Sequence, residues 1–169
     1  MKAANSRCQR GDDWQVRGST ATYHAALMVN RDWVGPPGEP HALFPVAVEG
    51  GRKFGLDRVS AFALRLPDGS WSLLVLNKDP IDSYQLRVDF RSGADLTPAR
   101  GPVAVTQFSS AQYRWHPARD RGQAKVNRGP ETRTEPDLPI TLPPYSVNIV
   151  RLAAPDHRNE EISSASERK

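Results

Sequence analysis

Hydrophobic residues in this chain occur mainly in short runs that alternate with turn-forming residues, a pattern typical of β-strands. Seven runs between residues 42 and 152 qualify as strands. They are 42–48, 60–66, 71–77, 84–90, 103–108, 138–142 and 145–152. A helical spacing occurs only earlier, in residues 21–33, where Thr22 is the candidate cap and Gly35-Pro36-Pro37-Gly38 ends the element. The pattern predicts one short helix followed by strands.

Two of these strands are joined by a turn whose residues favour a tight hairpin. Pro67-Asp68-Gly69-Ser70 separates 60–66 from 71–77, and Asp-Gly supplies the positive φ angles that such a turn needs. The run 84–90 alternates apolar and polar residues, which places one face over a core and the other in water. Both features predict antiparallel pairing.

The last strand follows Pro143-Pro144, which lack ladder donors and therefore place a bend between 138–142 and 145–152. Residues 109–137 are predicted to form a long irregular segment. The predicted fold class is all-β, a two-sheet antiparallel β-sandwich with one short N-terminal helix and disordered termini. The predicted divisions are 1–20 (disordered), 21–40 (helix and linker), 41–153 (sandwich) and 154–169 (disordered polar tail).

Length and charge narrow the function classes. The 169 residues suit a single core, and the net charge of +4 comes from arginines interleaved with carboxylates, so we predict no nucleic-acid partner. Cys8 is the only cysteine and forms no intrachain disulfide. No apolar run approaches the ~20 residues that span a bilayer, and no export signal follows Lys2. We predict no membrane partner, and the location in the cell stays open.

No motif in the sequence indicates catalytic, metal or cofactor chemistry. The four histidines lack the spacing of a zinc site, and no nucleophile elbow or phosphate-binding loop occurs. Asp12 and Asp13 lie in a polar segment that would leave them solvated. Asp79 and Asp82 bracket Pro80-Ile81, where turn chemistry is favoured over calcium binding. The prediction is no cofactor, no metal and no catalytic residue.

Aromatic residues supply the only candidate binding site. Tyr113, Arg114, Trp115 and His116 follow one another in the segment 109–137. Aromatic rings stack on the C–H faces of sugars while polar neighbours bind the hydroxyls, so this element is a candidate glycan contact. The alternative, which is favoured, is that the two aromatic residues pack on the sandwich edge or against another domain.

Several segments of the chain can be compared as a set. They are Tyr23-His24-Ala25-Ala26-Leu27-Met28-Val29, His41-Ala42-Leu43-Phe44-Pro45, 59–64 with 68–78, Val105-Thr106-Gln107-Phe108-Ser109, Tyr113-Arg114-Trp115, and 142–152 with its Leu-Pro-Pro-Tyr-Ser-Val. Together, and in this order, they resemble the C-terminal region of clan-A retaining (β/α)8-barrel glycoside hydrolases, the arabinofuranosidase, xylosidase and endoglucanase-like enzymes. The first segment resembles the last barrel helix, and the second resembles the crossing into the sandwich.

This resemblance implies an accessory domain without catalysis. A barrel takes roughly 250 residues, and no residue here matches the Asn-Glu element or the second glutamate strand. The expected role is packing on a catalytic barrel and stabilising it, with Tyr113, Arg114, Trp115 and His116 contacting the barrel or a glycan. The alternative is a stand-alone module that binds a polysaccharide, an oligosaccharide or a protein. In the accessory domain, which lacks its barrel, Tyr23 and Leu27 are expected to be exposed or repacked on the sandwich, whereas a self-sufficient domain would cover this face.

Overall fold

The computed structural model describes residues 19–35, 38–116 and 123–153. Its centre is a six-stranded antiparallel sheet. The strands of this sheet are β1 (Ala42–Phe44), β4 (Val59–Arg65), β5 (Trp71–Asn77), β9 (Val103–Phe108), β12 (Glu131–Glu135) and β14 (Ser146–Leu152). They lie side by side in the order β1-β4-β5-β14-β9-β12. The hairpin joins β4 to β5 as predicted, but of Asp68 and Gly69 only Gly69 has a positive φ, at 82°.

Smaller two-stranded units complete the molecule. They are β2 (Arg52–Lys53) with β3 (Leu56–Asp57), β6 (Tyr84–Leu86) with β13 (Ile140–Leu142), β7 (Asp89–Ser92) with β8 (Asp95–Pro98), and β10 (Tyr113–His116) with β11 (Gln123–Asn127). Residues of β6, β7 and β13 pack with β4, β5, β9 and β14 in the main hydrophobic core. The all-β antiparallel prediction is confirmed, with the second layer built from separate strand pairs.

The helix covers the opposite face of the six-stranded sheet. Residues Ala21–Leu27 form α1, which continues as a π-helical segment over Met28–Trp33. Met28 is fully buried against Leu74, Phe108 and Ile149. Thr20 rather than Thr22 caps α1, because its hydroxyl accepts a hydrogen bond from the Tyr23 amide at 3.2 Å. Tyr23 remains 38% exposed, and Leu27 is half-buried.

Both faces of the central strands are therefore covered. Along β5 the side chains from Ser72 to Val75 are all buried, although successive side chains of a strand point to opposite faces. Val75 belongs to the main core, while Leu74 belongs to the cluster under the helix. This explains why β5 is a continuous apolar run instead of an alternating one.

Three predictions about the strands were wrong in detail. The segment 109–137 is not irregular, because it contains β10, β11 and β12. The run 42–48 is a strand only over Ala42–Phe44, and 84–90 is split into β6 and the start of β7. Disorder was predicted for residues 1–20 and 154–169; of these, 1–18 and 154–169 lie outside the described residues, and Thr20 caps α1.

Candidate functional site

The predicted aromatic element lies on a two-stranded ribbon beside the large sheet. In it β10 pairs with β11, so that Tyr113 faces Asn127 and Arg114 faces Val126. The register then shifts, because Trp115 pairs with Ala124 and the intervening Lys125 has no partner in the ladder. This is a β-bulge, a feature that re-aims side chains near functional sites.

Strand alternation divides the four predicted residues between the two faces of the ribbon. Tyr113 and Trp115 share one face, and Arg114 and His116 share the other. Tyr113 packs on Phe108, with ring centroids 6.1 Å apart, and belongs to the cluster under the helix. Trp115 is 51% exposed, and Arg114 and His116 are exposed. The four residues thus form no single platform, and the glycan or barrel contact stays a prediction that rests on Trp115.

Asp79 lies at the centre of a compact loop after β5. It is buried, and its carboxylate accepts hydrogen bonds from the amides of Ile81 and Asp82 at 2.9 Å each and from the Tyr84 hydroxyl at 3.2 Å. Asp82 forms an ion pair with Lys53 instead of turning toward Asp79. The turn chemistry predicted for both aspartates is present at Asp79, whose oxygens accept hydrogen bonds from N–H and O–H donors, whereas the Asp82 carboxylate is held by its ion pair with Lys53.

The loop around Asp79 makes the stability of the fold depend on pH in the acid range. The hydrogen bonds from the Asp82 and Ile81 amides lower the pKa of Asp79 below its ordinary value. Its contribution is therefore complete above the unfolded carboxyl pKa of about 3.9 and is lost as pH falls through the lower folded value. We expect Asp79→Asn to flatten the fall of the urea midpoint below about pH 4.

The comparison for this prediction is Asp57→Asn on β3, whose carboxylate is exposed and 3.9 Å from Arg52. It should leave the acid dependence unchanged. Hydrogen bonds from Ser70 also lower the pKa of Asp68, so part of the fall in stability at acid pH remains in both variants. An Asp79→Asn profile as steep as that of the wild type would contradict this role for the loop.

A shallow groove of about 360 Å³ lies on the second layer. The residues that line it include Val88, Ala99 and Leu138, together with the charged Arg87 and Arg100. Arg100 is 3.8 Å from Asp137, which also accepts hydrogen bonds from the Gly101 and Leu138 amides. These contacts maintain the turn before the Leu138-Pro139 bond, and no carboxylate pair suited to acid-base chemistry lines the groove.

The most unusual surface is an exposed apolar one that the sequence patterns did not reveal. Residues 42–50 are exposed throughout, and the chain then turns through β2 and β3. Phe54 is 86% exposed and Leu43 is 68% exposed. Six large apolar residues in this part of the chain are exposed, and we call them the apolar strip: Leu43, Phe44, Val46, Val48, Phe54 and Leu56. Leu43 and Phe44 are successive strand residues and point to opposite faces of β1. Groups of exposed apolar residues are typical of interaction sites.

Phe54 is also held in an uncommon backbone conformation. It occupies the turn between β2 and β3 with φ 51°, followed by Gly55 at φ 74°. Two successive positive φ angles are typical of a type I′ turn, whose first position prefers Asn, Asp or Gly. A left-handed phenylalanine costs roughly 1 kcal/mol, and residues in such conformations cluster at functional sites. The turn would therefore fold better with another residue.

Metal and membrane sites find no support in the described part of the chain. No group of three or more His, Cys, Asp or Glu side chains is placed to hold a metal ion within residues 19–35, 38–116 and 123–153. Across those same ranges, no helix is long and apolar enough to cross a bilayer.

Comparisons with known proteins give only a loose link. No protein-family model matches the chain, and no curated protein matches it significantly. Among solved structures, it is similar to CelM2, a bifunctional glucanase-xylanase from a metagenome library, with a TM-score of 0.37 and 22% sequence identity. That match covers 59% of this chain and 16% of CelM2, so it spans a small part of that enzyme.

Proposed function

We propose that this chain is a non-catalytic accessory β-sandwich of a glycoside hydrolase, which packs on a catalytic (β/α)8 barrel through the apolar strip. The observation that carries the proposal is Phe54, an 86% exposed aromatic ring on a left-handed backbone. Within the fold the Phe54 ring contacts the Lys53 ammonium, 5.7 Å from the ring centroid, and most of the ring stays in water, whereas an aromatic anchor at a domain interface would be buried. The segment His41-Ala42-Leu43-Phe44-Pro45, which resembles the crossing from barrel to sandwich, contributes the exposed Leu43 and Phe44 to the apolar strip.

The chemistry of the carboxylates supports a role without catalysis. Retaining glycosidases need two carboxyl groups about 5 Å apart, one of them with a raised pKa. The pKa of buried Asp79 is lowered instead, which suits a structural anion. Asp82 is paired with Lys53, and Glu135 with Arg133 at 2.7 Å. We therefore expect the purified chain to leave aryl-glycosides unhydrolysed.

The genomic sequence upstream of the Met1 codon tests the proposal most directly. A barrel reading frame with two glutamates at strand ends, in frame or separated by a frameshift, would support it. A genomic neighbourhood that encodes no barrel would contradict it. Where the barrel is found, it can be produced separately and titrated with this chain by calorimetry.

Phe54→Asn separates docking from folding in that titration. Asparagine tolerates the left-handed conformation, so we expect the free energy of unfolding to stay equal or to rise by up to about 1 kcal/mol. The loss of the ring should weaken binding to the barrel by at least about tenfold, since aromatic anchors dominate interfaces.

The matched control is Leu96→Asn on β8, a residue that is also exposed at 56% but lies outside the apolar strip. It should leave barrel affinity unchanged. If Phe54→Asn binds the barrel as tightly as the wild type does, Phe54 is not part of the interface.

A further inference from the structure

The net charge of the chain is concentrated in one segment. Residues 113–128 contain five of the 23 arginines and lysines and one of the 19 carboxylates, so their net charge of +4 equals that of the whole chain. Over all other residues the cations and carboxylates are equal in number. The segment includes the β10–β11 ribbon, and neither strand of the ribbon contains an Asp or a Glu. The pI of about 9.5 therefore reflects a local excess of positive charge.

Two of these cations meet at the β-bulge of the ribbon. Arg114 faces Val126 across the ribbon, and Lys125, the extra residue of the bulge, directly precedes Val126. Both cations are exposed, and neither forms an ion pair with a residue that the structure describes. Like charges on neighbouring strands repel each other, so an anionic ligand that contacts both would relieve the repulsion.

Trp115 adds an aromatic surface next to this charge. It directly follows Arg114, and its partner across the ribbon is Ala124, whose small side chain leaves much of the ring uncovered. The ring is 51% exposed, whereas Tyr113 on the same face packs on Phe108. Aromatic rings stack on the C–H faces of sugars. A basic surface with one exposed ring therefore fits a sugar polymer that carries negative charge.

We propose that the β10–β11 ribbon binds an acidic polysaccharide, whose sugar rings carry carboxylate groups. Trp115 stacks on one sugar ring, while the Arg114 guanidinium and the Lys125 ammonium attract the carboxylates of neighbouring rings. Trp115 and Arg114 point to opposite faces of the ribbon. The attraction nevertheless acts over about 8 Å at physiological ionic strength, so the cations and the ring can serve the same chain of sugars.

The ribbon suits a glycan better than a nucleic acid. Proteins that bind single strands stack successive bases on several aromatic rings, whereas Trp115 is the one strongly exposed ring on the described strands β10 and β11. Proteins that bind duplexes make roughly 6–10 phosphate contacts, and these two strands together carry two arginine or lysine side chains. A sugar chain needs only a stacked ring and a few polar contacts.

This binding goes beyond the accessory role and uses a different part of the molecule. The ribbon connects β9 to β12, which lie together at one edge of the six-stranded sheet. The apolar strip begins at β1, which forms the opposite edge. Glycan binding and barrel docking can therefore be measured and can fail independently.

Calorimetric titration of the full chain with polygalacturonate tests the proposal. The control polymer is polygalacturonate with its carboxyl groups methyl-esterified, because it keeps the sugar rings and lacks their charge. We expect binding at low ionic strength that weakens as salt is added, since salt screens exposed charges. The esterified polymer should bind at least about tenfold more weakly.

Variants test whether the ribbon is the site. The double variant Arg114→Gln, Lys125→Gln should weaken binding by at least about tenfold and reduce its dependence on salt. Trp115→Ala should weaken binding by about tenfold with unchanged salt dependence, and Trp115→Tyr should restore most of the affinity because its ring still stacks. The matched control is Arg87→Gln, Arg91→Gln, which removes the same net charge from exposed positions outside the ribbon and should change the affinity by less than about twofold.

Absence of binding at low salt would overturn the proposal, as would equal affinity for the esterified polymer. A loss in Arg87→Gln, Arg91→Gln as large as that in the ribbon double variant would also overturn it, because net charge alone would then attract the polymer. Tighter binding of a single-stranded oligonucleotide or of anionic lipid vesicles would assign the ribbon to another partner. Unchanged urea midpoints check that each variant is folded. A negative result leaves the accessory role standing, because barrel binding is measured separately.

Discussion

Replacing Asn77 with alanine is expected to lower the free energy of unfolding by about 3–4 kcal/mol. The Asn77 side chain is 2% exposed and lies at the end of β5. Its amide nitrogen donates to the carbonyl oxygens of Asp82 at 2.9 Å, Leu142 at 3.1 Å and Pro143 at 2.8 Å. Its oxygen accepts the Asp79 amide at 2.9 Å. Alanine would leave these buried groups without their partner.

Urea unfolding followed by fluorescence and circular dichroism measures this loss. The matched control is Asn127→Ala on β11, whose exposed side chain donates one hydrogen bond to the Ser19 carbonyl. It should cost about 0.5 kcal/mol or less. Asn77→Asp keeps an acceptor for the Asp79 amide but removes the donors and places a charge beside carbonyl oxygens, so it should be at least as damaging as alanine. Equal losses for Asn77→Ala and Asn127→Ala would contradict the role of Asn77.

The importance of Asn77 follows from the distances in sequence that it spans. It connects β5 to the loop around Asp79 and to the bend at Pro143, about 66 residues later. Ser146, which pairs with Asn77 across the sheet, also donates its hydroxyl to the Pro143 carbonyl at 2.7 Å. The bend that the two prolines predict is thus held by the Asn77 side chain from β5 and the Ser146 side chain from β14.

The strands that could be predicted well are those whose neighbours bury them. Trp71–Asn77 and Val103–Phe108 have the bounds that the apolar runs predict, because both lie inside the six-stranded sheet. Gln123–Asn127 and Glu131–Glu135 were missed because a ribbon and a sheet edge can be polar. Their pairing depends on partners elsewhere in the chain, which short-range patterns do not specify.

The apolar strip was harder to predict because its residues are apolar and yet exposed. The sequence predicts residues 42–48 only as a strand, since an apolar run does not say whether another layer covers it. Only the sheet order shows that β1 is an edge and that its apolar side chains lie in water. A phenylalanine directly before Gly55 was the one local signal of the exposed turn, because glycine marks the chain reversal there.

Met28→Ala is expected to lower the free energy of unfolding by about 3 kcal/mol, because the side chain is fully buried between the helix and the sheet. Met28 packs with Leu74, Phe108 and Ile149, so its removal leaves a cavity that stiff strands fill poorly. The helix is also fixed by reciprocal hydrogen bonds: the Trp33 indole donates to the Ser72 carbonyl at 3.1 Å, and the Ser72 hydroxyl donates to the Trp33 carbonyl at 2.8 Å.

This prediction distinguishes a helix that is part of the sandwich from one that only connects it to another domain. Met28→Leu, which nearly conserves volume, should cost less than about 1.5 kcal/mol and serves as the control. If the helix detached readily from the sheet, the loss caused by Met28→Ala could not exceed the small free energy that holds the helix on the sheet. Unfolding would then show a separate early loss of helical signal. A single transition with the full loss would mean that the segment resembling a barrel helix is a third layer of this domain.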